Sequence, residues 1–545
     1  MMRNIKINKK GFLILIIGFA FLSYSYKSNF FEVAKQIEIY NSLFKELNMY
    51  YVDEINPADL TDKAIKNTLK TLDPYTNFYN EQDVEDARIR REGEYGGLGI
   101  SVYYTKEGIQ IREIYKGFSA DKAKLKAGDL IIKVDGQSIK NMQRDQLSMM
   151  LKGTPNSKVS ITIERQGSII NKELTREKVV VNPVPFAEMI DEETGYITLT
   201  RFNNKASSEV KKAFRKLKKA GMKKLVFDLR NNLGGSLMES IRISNFFLPK
   251  GKTIVSTKAK IKKWSNSYKS TNKPLDLEIP IVVLINGSSA SASEIVSGAL
   301  QDYDRAIILG ERSFGKGLVQ RQKALTYGTQ LKLTISKYYT PSGRCIQELD
   351  YTNRDNKTGK VPKFSDAGVN EFKTQNGRIV FDGGGILPDV KLNVSEKTEE
   401  TKVLLNSKAI FNFTTNFYYK NQNLADAEKF EFTNSNFKEF LKYLKKDTTF
   451  VTKQERLFKE AYDKADNTNI TKEYEKIKDI LFEEKIGSII KNKDIISEKI
   501  EDEILSRYNY KEGTYKNNLS TDRAIKEALS LLNNQDKYLS ILSGK

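Results

Sequence analysis

Between about residues 175 and 395, short apolar strands alternate with amphipathic helices along the chain. The segments GYITLTRF, KKLVFDLR and IPIVVLIN have the length and composition of strands, whereas SSEVKKAFRKLKKAG and ASEIVSGALQ have apolar residues at helical spacing. Strand–helix alternation of this kind predicts an α/β core, because each crossover helix packs back onto the sheet. Loops in such a core gather at the strand ends, where ligands bind.

The rest of the chain has other hydrophobic patterns. A length of 545 residues is too great for one ordinary domain. Residues 29–92 have the apolar spacing of helices. Residues 93–168 predict a compact module of about five short strands and two helices. Residues 400–545 are helical, charged and poor in glycine. We therefore predict a multidomain α/β (α+β) protein whose core spans 175–395, with an N-terminal helical region and a C-terminal helical extension.

The N-terminal 28 residues predict a signal anchor or a signal peptide. Four basic residues, Arg3, Lys6, Lys9 and Lys10, precede the apolar run Gly11–Tyr26. The run lacks an A-x-A cleavage site, which favours an uncleaved anchor in the membrane. The positive-inside rule would then place the chain after residue 27 outside the cytoplasm, in the cell envelope. The alternative is a buried N-terminal helix of a soluble protein.

Composition excludes several classes of site. The chain has no histidine, so a Ser-His-Asp triad, a Cys-His pair and a histidine-bearing zinc site are impossible. Cys345 is the only cysteine, so neither an intrachain disulfide nor a four-cysteine metal cluster can form. Acid and base chemistry must come from Lys, Glu, Asp or Tyr, and we predict no metal and no cofactor. The net charge of +21 is spread among interleaved acids, which indicates a solvated surface and no nucleic-acid partner.

A serine at the start of one helix is the first candidate for chemistry. Ser291 lies in NGSSASASEIVSGAL, after a buried strand and at the start of a helix. The helix dipole and free N–H groups there stabilise developing negative charge, which suits a nucleophile. The sequence Ser291-Ala-Ser-Glu294 is also a capping box of the kind that structural helices use. Both interpretations remain open from the residues alone.

Two glycine-framed segments supply the remaining candidates. In GERSFGKGLVQ, Lys316 lies between two glycines, so its amine can be held deep in a site where desolvation lowers its pKa. Gln320 lies one turn later if this segment is helical, where its amide could hold the lysine. In KLVFDLRNNLGGS, Gly234 and Gly235 follow a buried strand and can offer backbone N–H groups to an oxyanion, although a tight turn would look the same.

Taken in order and spacing, these segments resemble the C-terminal processing peptidases, also called tail-specific proteases. The resemblance extends from about residue 73 to 390. It includes LDPYTNFY, GGLGI, ADKAKLKAGDLIIKVDG, DLRNNLGG, NGSSASASEI, SFGKGLVQ, YYTPSGRCIQ and DGGGILPDV. It implies a crotonase-like peptidase core with an inserted PDZ domain and a Ser/Lys dyad.

Carried over residue by residue, the resemblance gives each candidate a role. It implies Ser291 as nucleophile, Lys316 as general base, Gln320 as the orienting amide, Gly235 and Ala292 as oxyanion donors, and Glu294 as a lesser site residue. In the PDZ module, it implies a nest for a C-terminal carboxylate formed by the amides of Gly97, Leu98 and Gly99. The strand that includes Ile100 would accept the peptide as an added strand, and an apolar last side chain would suit Leu98 and Ile100.

The predicted function is a serine endopeptidase that trims apolar C-terminal tails of envelope proteins. One alternative is a catalytically inactive PDZ scaffold that binds protein C-termini. A second is a crotonase-type acyl-CoA enzyme, which would need neither the PDZ module nor the serine/lysine pair. The C-terminal helices could serve as a substrate platform, a homo-oligomer arm or an adaptor-docking surface.

Overall fold

The computed structural model describes residues 9–355, 357–392, 396–422, 430–465 and 471–544. The chain forms two compact units, residues 1–78 and 79–545. The first unit contains α1 (Lys9–Tyr50) and α2 (Pro57–Lys70), followed by the short strand β1 (Asn77–Tyr79). Residues 1–8 of the predicted anchor lie outside the described residues. Across the described part of the chain, no helix is both long enough and apolar enough to cross a membrane.

The second unit begins with α3 (Glu81–Glu92), and the predicted compact module follows. Its helices and strands are β2 (Glu94–Gly97), β3 (Ile100–Tyr104), β4 (Ile109–Ile114), α4 (Ser119–Lys122), β5 (Leu130–Val134), β6 (Gln137–Ser138), α5 (Arg144–Leu151), β7 (Lys158–Arg165), β8 (Ser168–Thr175) and β9 (Glu177–Val180). The main sheet has the order β3-β4-β5-β7-β8, with β6 on β5, and β2 pairs with β9. The strand β8 extends this sheet past residue 168, where we predicted the module to end.

The core is a six-stranded sheet with the order β10-β11-β12-β15-β16-β21. Its strands are β10 (Phe186–Met189), β11 (Thr194–Thr198), β12 (Lys224–Asp228), β15 (Ile281–Ile285), β16 (Ile307–Gly310) and β21 (Val390–Lys391). All neighbours are parallel except β10, which is antiparallel at one edge. The crossover helices are α6 (Ala206–Lys219), α7 (Leu237–Asn245) and α8 (Ala292–Asp302). This is the α/β arrangement that the strand–helix alternation predicts.

Further strands lie beside the core. A second sheet contains β13 (Thr253–Ala259), β14 (Ser267–Lys269), β17 (Leu318–Ala324) and β18 (Gln330–Tyr339), and a hairpin is formed by β19 (Glu371–Lys373) and β20 (Ile379–Phe381). The strand β17 pairs along its length with β18. The segment after Lys316 is therefore a strand, since β17 begins two residues after it, and the condition of a helix at Gln320 is not met.

Both faces of the core sheet are buried, each by a different part of the chain. Side chains of a strand alternate between faces, so Leu225 and Phe227 of β12 pack with α6, α7 and α8. Val226 points the other way and packs in a cluster that includes Ile525 and Leu531. These two residues belong to the C-terminal helices. The end of the predicted extension therefore forms the second helical layer of the core.

The C-terminal region is helical, as the composition predicts. Its helices are α9 (Glu399–Asn406), α10 (Ala409–Lys420), α11 (Asn434–Leu444), α12 (Lys453–Ala465), α13 (Thr471–Ile490), α14 (Lys493–Thr521), α15 (Arg523–Asn533) and α16 (Gln535–Ser543). A buried aromatic and aliphatic cluster joins α9, α10, α11, α13 and α14. A second tie reaches the core, where Arg230 donates hydrogen bonds to Asp228 at 2.6 Å and to Asp522 at 2.7 Å. Asp522 also caps α15 by accepting from the amides of Ala524 and Ile525.

Replacing Ile525 by alanine should destabilise the whole α/β core. Ile525 is fully buried against the sheet. Truncating a buried isoleucine costs about 2–5 kcal/mol through lost burial and a residual cavity. Chemical denaturation of the full chain measures this loss. The matched control is Leu539→Ala on α16, where the side chain is 52% exposed and we expect a change within about 0.5 kcal/mol. Equal effects of the two changes would contradict a core role for α15.

Candidate active site

Ser291 lies at the corner between β15 and α8, as predicted. It is the residue before the first turn of α8, and it is half-buried. Its backbone has φ +56° and ψ −111°, in a region that residues with a side chain rarely adopt. Such strain persists only where the surrounding structure holds it in place, and it clusters at functional sites. The corner therefore presents a serine in a conformation that helix capping does not require.

The predicted oxyanion loop lies directly against this corner. A Cβ added to Gly234 would be 2.9 Å from both Cβ of Ser291 and the amide nitrogen of Ala292. The φ angles of Gly234 and Gly235 are +93° and +149°, so both positions favour glycine. Hydrogen bonds to Phe202 hold the loop on its other side. Within the described residues, the amides of Gly235 and Ala292 donate to no other group of the chain, which leaves both for a ligand.

Asn232 connects the oxyanion loop to the serine corner, and the sequence analysis did not select it. The side chain is fully buried, and it donates to the carbonyl of Leu199 at 2.7 Å and accepts from the amide of Gly234 at 2.9 Å. Its backbone carbonyl accepts from the amide of Ala290 at 3.0 Å and the hydroxyl of Ser293 at 2.8 Å. These two residues flank the predicted nucleophile. Asn232 therefore fixes the distance between the two loops.

Glu294 lies at the centre of the site, although we predicted only a lesser role for it. One carboxylate oxygen accepts from the amide of Ser291 at 2.7 Å and from the amide of Lys316 at 3.0 Å. The other accepts from the hydroxyl of Ser313 at 2.6 Å and the amide of Gly315 at 2.7 Å. The first of these bonds belongs to the predicted capping box, and the other three reach a different loop. Burial raises the pKa of Glu294 to about 7, against the hydrogen bonds that lower it.

Lys316 therefore lies on a loop that Glu294 ties to the serine corner. The side chain is half-buried, and the two flanking glycines are buried. A Cβ at Gly317 would be 2.8 Å from the amide nitrogen of Gln347, so the backbone approaches this neighbour closely. The side-chain oxygen of Gln347 accepts from the amide of Gly317 at 2.8 Å. The structure thus brings together the backbones of the predicted nucleophile and the predicted base.

Gln320 differs from its prediction in local structure. It lies in β17 and not one helical turn after Lys316, because the segment pairs with β18 as a hairpin. Its amide nitrogen donates to the carbonyl of Leu318 at 3.2 Å and to the hydroxyl of Thr334 at 3.3 Å. The strand register shifts between residues 319 and 320. The helical spacing considered for Gln320 therefore does not apply, and its role as an orienting amide stays a prediction.

Tyr338 is a further residue that the sequence analysis did not select. Its ring is 1% exposed, and its hydroxyl donates to the carbonyl of Ser291 at 3.3 Å. Its amide donates to the carbonyl of Gly317 at 2.9 Å. Tyr338 thus contacts the serine corner and the lysine loop together. It lies in YYTPSGRCIQ, which contributes to the family resemblance, but nothing in that segment indicates which residue faces the site.

The predicted peptide-binding residues lie between β2 and β3. Gly97 ends β2 and pairs with Glu177 of β9. Leu98 is 2% exposed within the hydrophobic core of the module, so its side chain is a core residue. Gly99 has a φ of +76°, and a Cβ there would be 2.3 Å from Phe118. Ile100 begins β3 and is half-buried. The turn is thus built around glycine backbone, as a carboxylate nest requires.

The described residues contain no candidate metal centre. Over the ranges that the structure describes, no three Cys, Asp or Glu side chains are grouped so that they could hold a metal ion.

Comparison with known proteins places this geometry in a family. A model of peptidase family S41 matches residues 193–353, a PDZ-domain model matches 86–164, and a model of a probable PDZ-protease C-terminal helical domain matches 400–532. A carboxy-terminal-processing protease of Bartonella bacilliformis is 35% identical over 324 residues, which are 58% of this chain and 74% of that protein. The chain belongs to the C-terminal processing peptidases. The predicted family and its combination of peptidase core, PDZ domain and helical extension are confirmed.

Other relatives of this C-terminal processing peptidase share less of their length with it. A probable CtpA-like serine protease of Staphylococcus aureus strain MRSA252 is 34% identical over 308 residues, which are 56% of this chain and 61% of the relative. The chain thus spans less than two thirds of the first curated relatives that it matches. Among solved structures, the photosystem II D1 C-terminal processing protease is 27% identical, with a TM-score of 0.36 over 64% of this chain and 91% of that one.

Proposed function

We propose that this C-terminal processing peptidase is a serine endopeptidase that uses a Ser291/Lys316 dyad and recognises protein C-termini through its PDZ domain. The observation that supports this best is the buried Glu294 carboxylate. One of its two oxygens accepts from the amides of both Ser291 and Lys316. A shared acceptor fixes the backbone of the nucleophile relative to that of the base. Positioning of this kind contributes a large part of the rate enhancement in acyl transfer.

The reaction begins with acylation of the serine. Neutral Lys316 takes the proton of the Ser291 hydroxyl, and the serine oxygen attacks the carbonyl carbon of the scissile peptide bond. The carbonyl oxygen becomes an oxyanion, which accepts hydrogen bonds from the amides of Gly235 and Ala292. These amides have no other acceptor within the described residues, so they need not give up a bond to do so.

The second half of the reaction releases both products. Protonated Lys316 returns its proton to the leaving amine, the C–N bond breaks, and an ester on Ser291 remains. Lys316 is then neutral again and takes a proton from water, whose oxygen attacks the ester carbonyl. Collapse of this second intermediate breaks the ester bond and releases the new carboxyl end. The serine recovers its proton from the lysine.

The location of the protein is part of the proposal. The basic residues before the apolar run Gly11–Tyr26 support an N-terminal membrane anchor, with the chain after Lys27 on the extracytoplasmic side. Substrates would then be envelope proteins whose tails end in apolar residues.

A tail-dependence assay tests the proposal. We expect a peptide with an apolar last residue and a free carboxylate to be cleaved about tenfold faster or more, at limiting concentration, than the same peptide with an amidated end, because a charge-assisted hydrogen bond to the nest is lost. Mass spectrometry of the products gives the rate and the cleavage position. The Ser291→Ala chain should cleave neither peptide.

Each contrary result has a separate meaning. Binding of the free tail without cleavage by the natural chain would support the inactive PDZ scaffold. Equal cleavage of free and amidated peptides would contradict tail recognition while leaving the serine peptidase in place. Accumulation of uncleaved tails in the envelope proteome of cells that carry only Ser291→Ala would identify the physiological substrates.

A further inference from the structure

The edge of β3 that faces away from β4 presents a backbone carbonyl beside the glycine turn (residues 97–99). β3 is the edge strand of its sheet in the described chain, and the carbonyl of Gly99 accepts from the amide of Tyr115 at 2.8 Å on the β4 side. Successive peptide groups of a strand point in opposite directions. The N–H and C=O of Ile100 therefore point away from β4, toward the open edge. The amides of Leu98 and Gly99 likewise donate to no other group within the described residues.

The side chain of Tyr95 occupies this acceptor. Its hydroxyl donates to the carbonyl of Ile100 at 3.3 Å. Its ring lies against the turn, since a Cβ added to Gly97 would be 2.5 Å from a ring carbon. The residue is half-buried, and it reaches from β2 across the turn to the edge of β3. Tyr95 thus covers the glycine turn and uses the first hydrogen-bond acceptor on the open edge.

A peptide added to this edge would need the same acceptor. With its carboxylate on the amides of the turn, the last residue of an added strand has its own N–H directed at the Ile100 carbonyl. The last N–H of the tail has few other acceptors, because the remaining carbonyls of this open edge lie further along β3. The Tyr95 hydroxyl and the last N–H of a tail therefore compete for one position.

We propose that Tyr95 is a built-in competitor of the C-terminal tail, which sets the affinity of the PDZ domain and must swing away from the β3 edge when a tail binds. This inference rests on the proposed recognition of protein C-termini. In the unbound protein, the tyrosine satisfies the Ile100 carbonyl and shields the glycine turn. A tail gains only the difference between its own contacts and those that Tyr95 gives up, so weak tails are rejected.

The test compares Tyr95→Phe with a matched variant. Tyr95→Phe keeps the ring on Gly97 and removes only the competing hydroxyl. We expect a tail peptide to bind this variant about fivefold more tightly, which corresponds to the net contribution of one hydrogen bond. The control is Tyr327→Phe, because the Tyr327 side chain is 91% exposed and lies between β17 and β18, outside the PDZ domain. It should leave the dissociation constant unchanged.

The measurement uses the full chain with Ser291→Ala, so that the peptide is not consumed. Fluorescence anisotropy of a short labelled peptide ending in valine gives the dissociation constants, and the amidated peptide reports binding that does not involve the carboxylate. Tighter binding by Tyr95→Phe alone, restricted to the free carboxylate, supports the proposal. The proposal is also supported if Tyr95→Phe binds the free tail peptide and the parent chain shows no binding.

Two results would overturn it, and they differ in what else they affect. If the free tail binds the parent and Tyr95→Phe binds it equally or more weakly, Tyr95 is not a competitor, while tail recognition stands. If neither chain distinguishes the free tail from the amidated one, recognition of C-termini fails and the role of Tyr95 fails with it.

Discussion

Lys316→Arg is expected to abolish peptide hydrolysis, with kcat/KM at least about 10³-fold below that of the natural chain. The substitution keeps a long, unbranched stem but replaces an amine that can be neutral by a group that is always charged. A guanidinium does not lose its proton at any pH at which the protein is folded, so it cannot accept the proton of Ser291. Cleavage of a fluorogenic tail peptide under single-turnover conditions measures the chemical step directly.

A matched control shows whether a lysine-to-arginine change is tolerated elsewhere on the surface. Lys323→Arg is the matched control, because Lys323 lies on β17, is exposed, and stacks over the ring of Trp264, a contact that arginine also makes. It should retain full activity. Tail binding by Lys316→Arg should also be unchanged, since the PDZ turn is a separate site. Hydrolysis by Lys316→Arg within tenfold of the natural rate would show that another group is the base.

Glu294→Gln is expected to reduce kcat by about tenfold or more and, at pH 4.5, to lower the free energy of unfolding by about 1–3 kcal/mol. Each carboxylate oxygen accepts two hydrogen bonds, and all four partners are donors. The glutamine amide has nearly the same shape, but its NH₂ group cannot accept. If NH₂ faces the amides of Ser291 and Lys316, both bonds that join the two loops are lost. If it faces Ser313 and Gly315, the bond to the Gly315 amide is lost, and the serine corner and the lysine loop are held by a neutral, weaker acceptor.

The pH dependence of stability gives Glu294 a signature of its own. Burial raises the pKa of Glu294 to about 7, above its ordinary value of 4.5. The folded protein therefore binds this proton more tightly than the unfolded chain does. The resulting stability is fully present below pH 4.5 and is lost as the pH rises through 7, by up to about 3 kcal/mol relative to Glu294→Gln.

Denaturation of both chains from pH 4.5 to 7.5 measures this difference, since their other groups cancel. Glu209→Gln on the surface helix α6 is the conservative control and should show the natural pH profile and full activity. Parallel stability profiles for the natural chain and Glu294→Gln would mean that the four donors keep the carboxylate charged throughout. Full activity of Glu294→Gln would contradict the positioning role.

The parts of the site that the sequence predicts are those with local signals. A serine at a strand-to-helix corner and a glycine pair after a buried strand are both visible within about ten residues, and both lie where we expected. The capping-box pattern predicts one of the four bonds of Glu294. The other three join it to residues 313–316 in a separate loop, and no local pattern records such a contact.

The misjudged elements depend on partners distant in the chain. The segment after Lys316 forms a strand because it pairs with β18, a partner that the local sequence around Gln320 does not show. Asn232, in a loop, and Tyr338, in β18, act through hydrogen bonds to the serine corner. The apolar face of α15 is evident in the sequence. The sequence does not show that this face packs on the core sheet, because an amphipathic pattern does not indicate which element the helix contacts.

The helical layer from α15 has a consequence for the order in which the candidate site is assembled. Ile525 packs in one cluster with Val282 and Leu284 of β15, the strand that leads to Ser291, yet it is synthesised about 200 residues after Lys316. Until those helices have been synthesised, one side of β15 remains open to water. The corner at Ser291 then lacks the packing that supports it. A growing chain would thus contain Ser291 and Lys316 well before the sheet that positions them is complete, and we expect no cleavage before α15 has been synthesised.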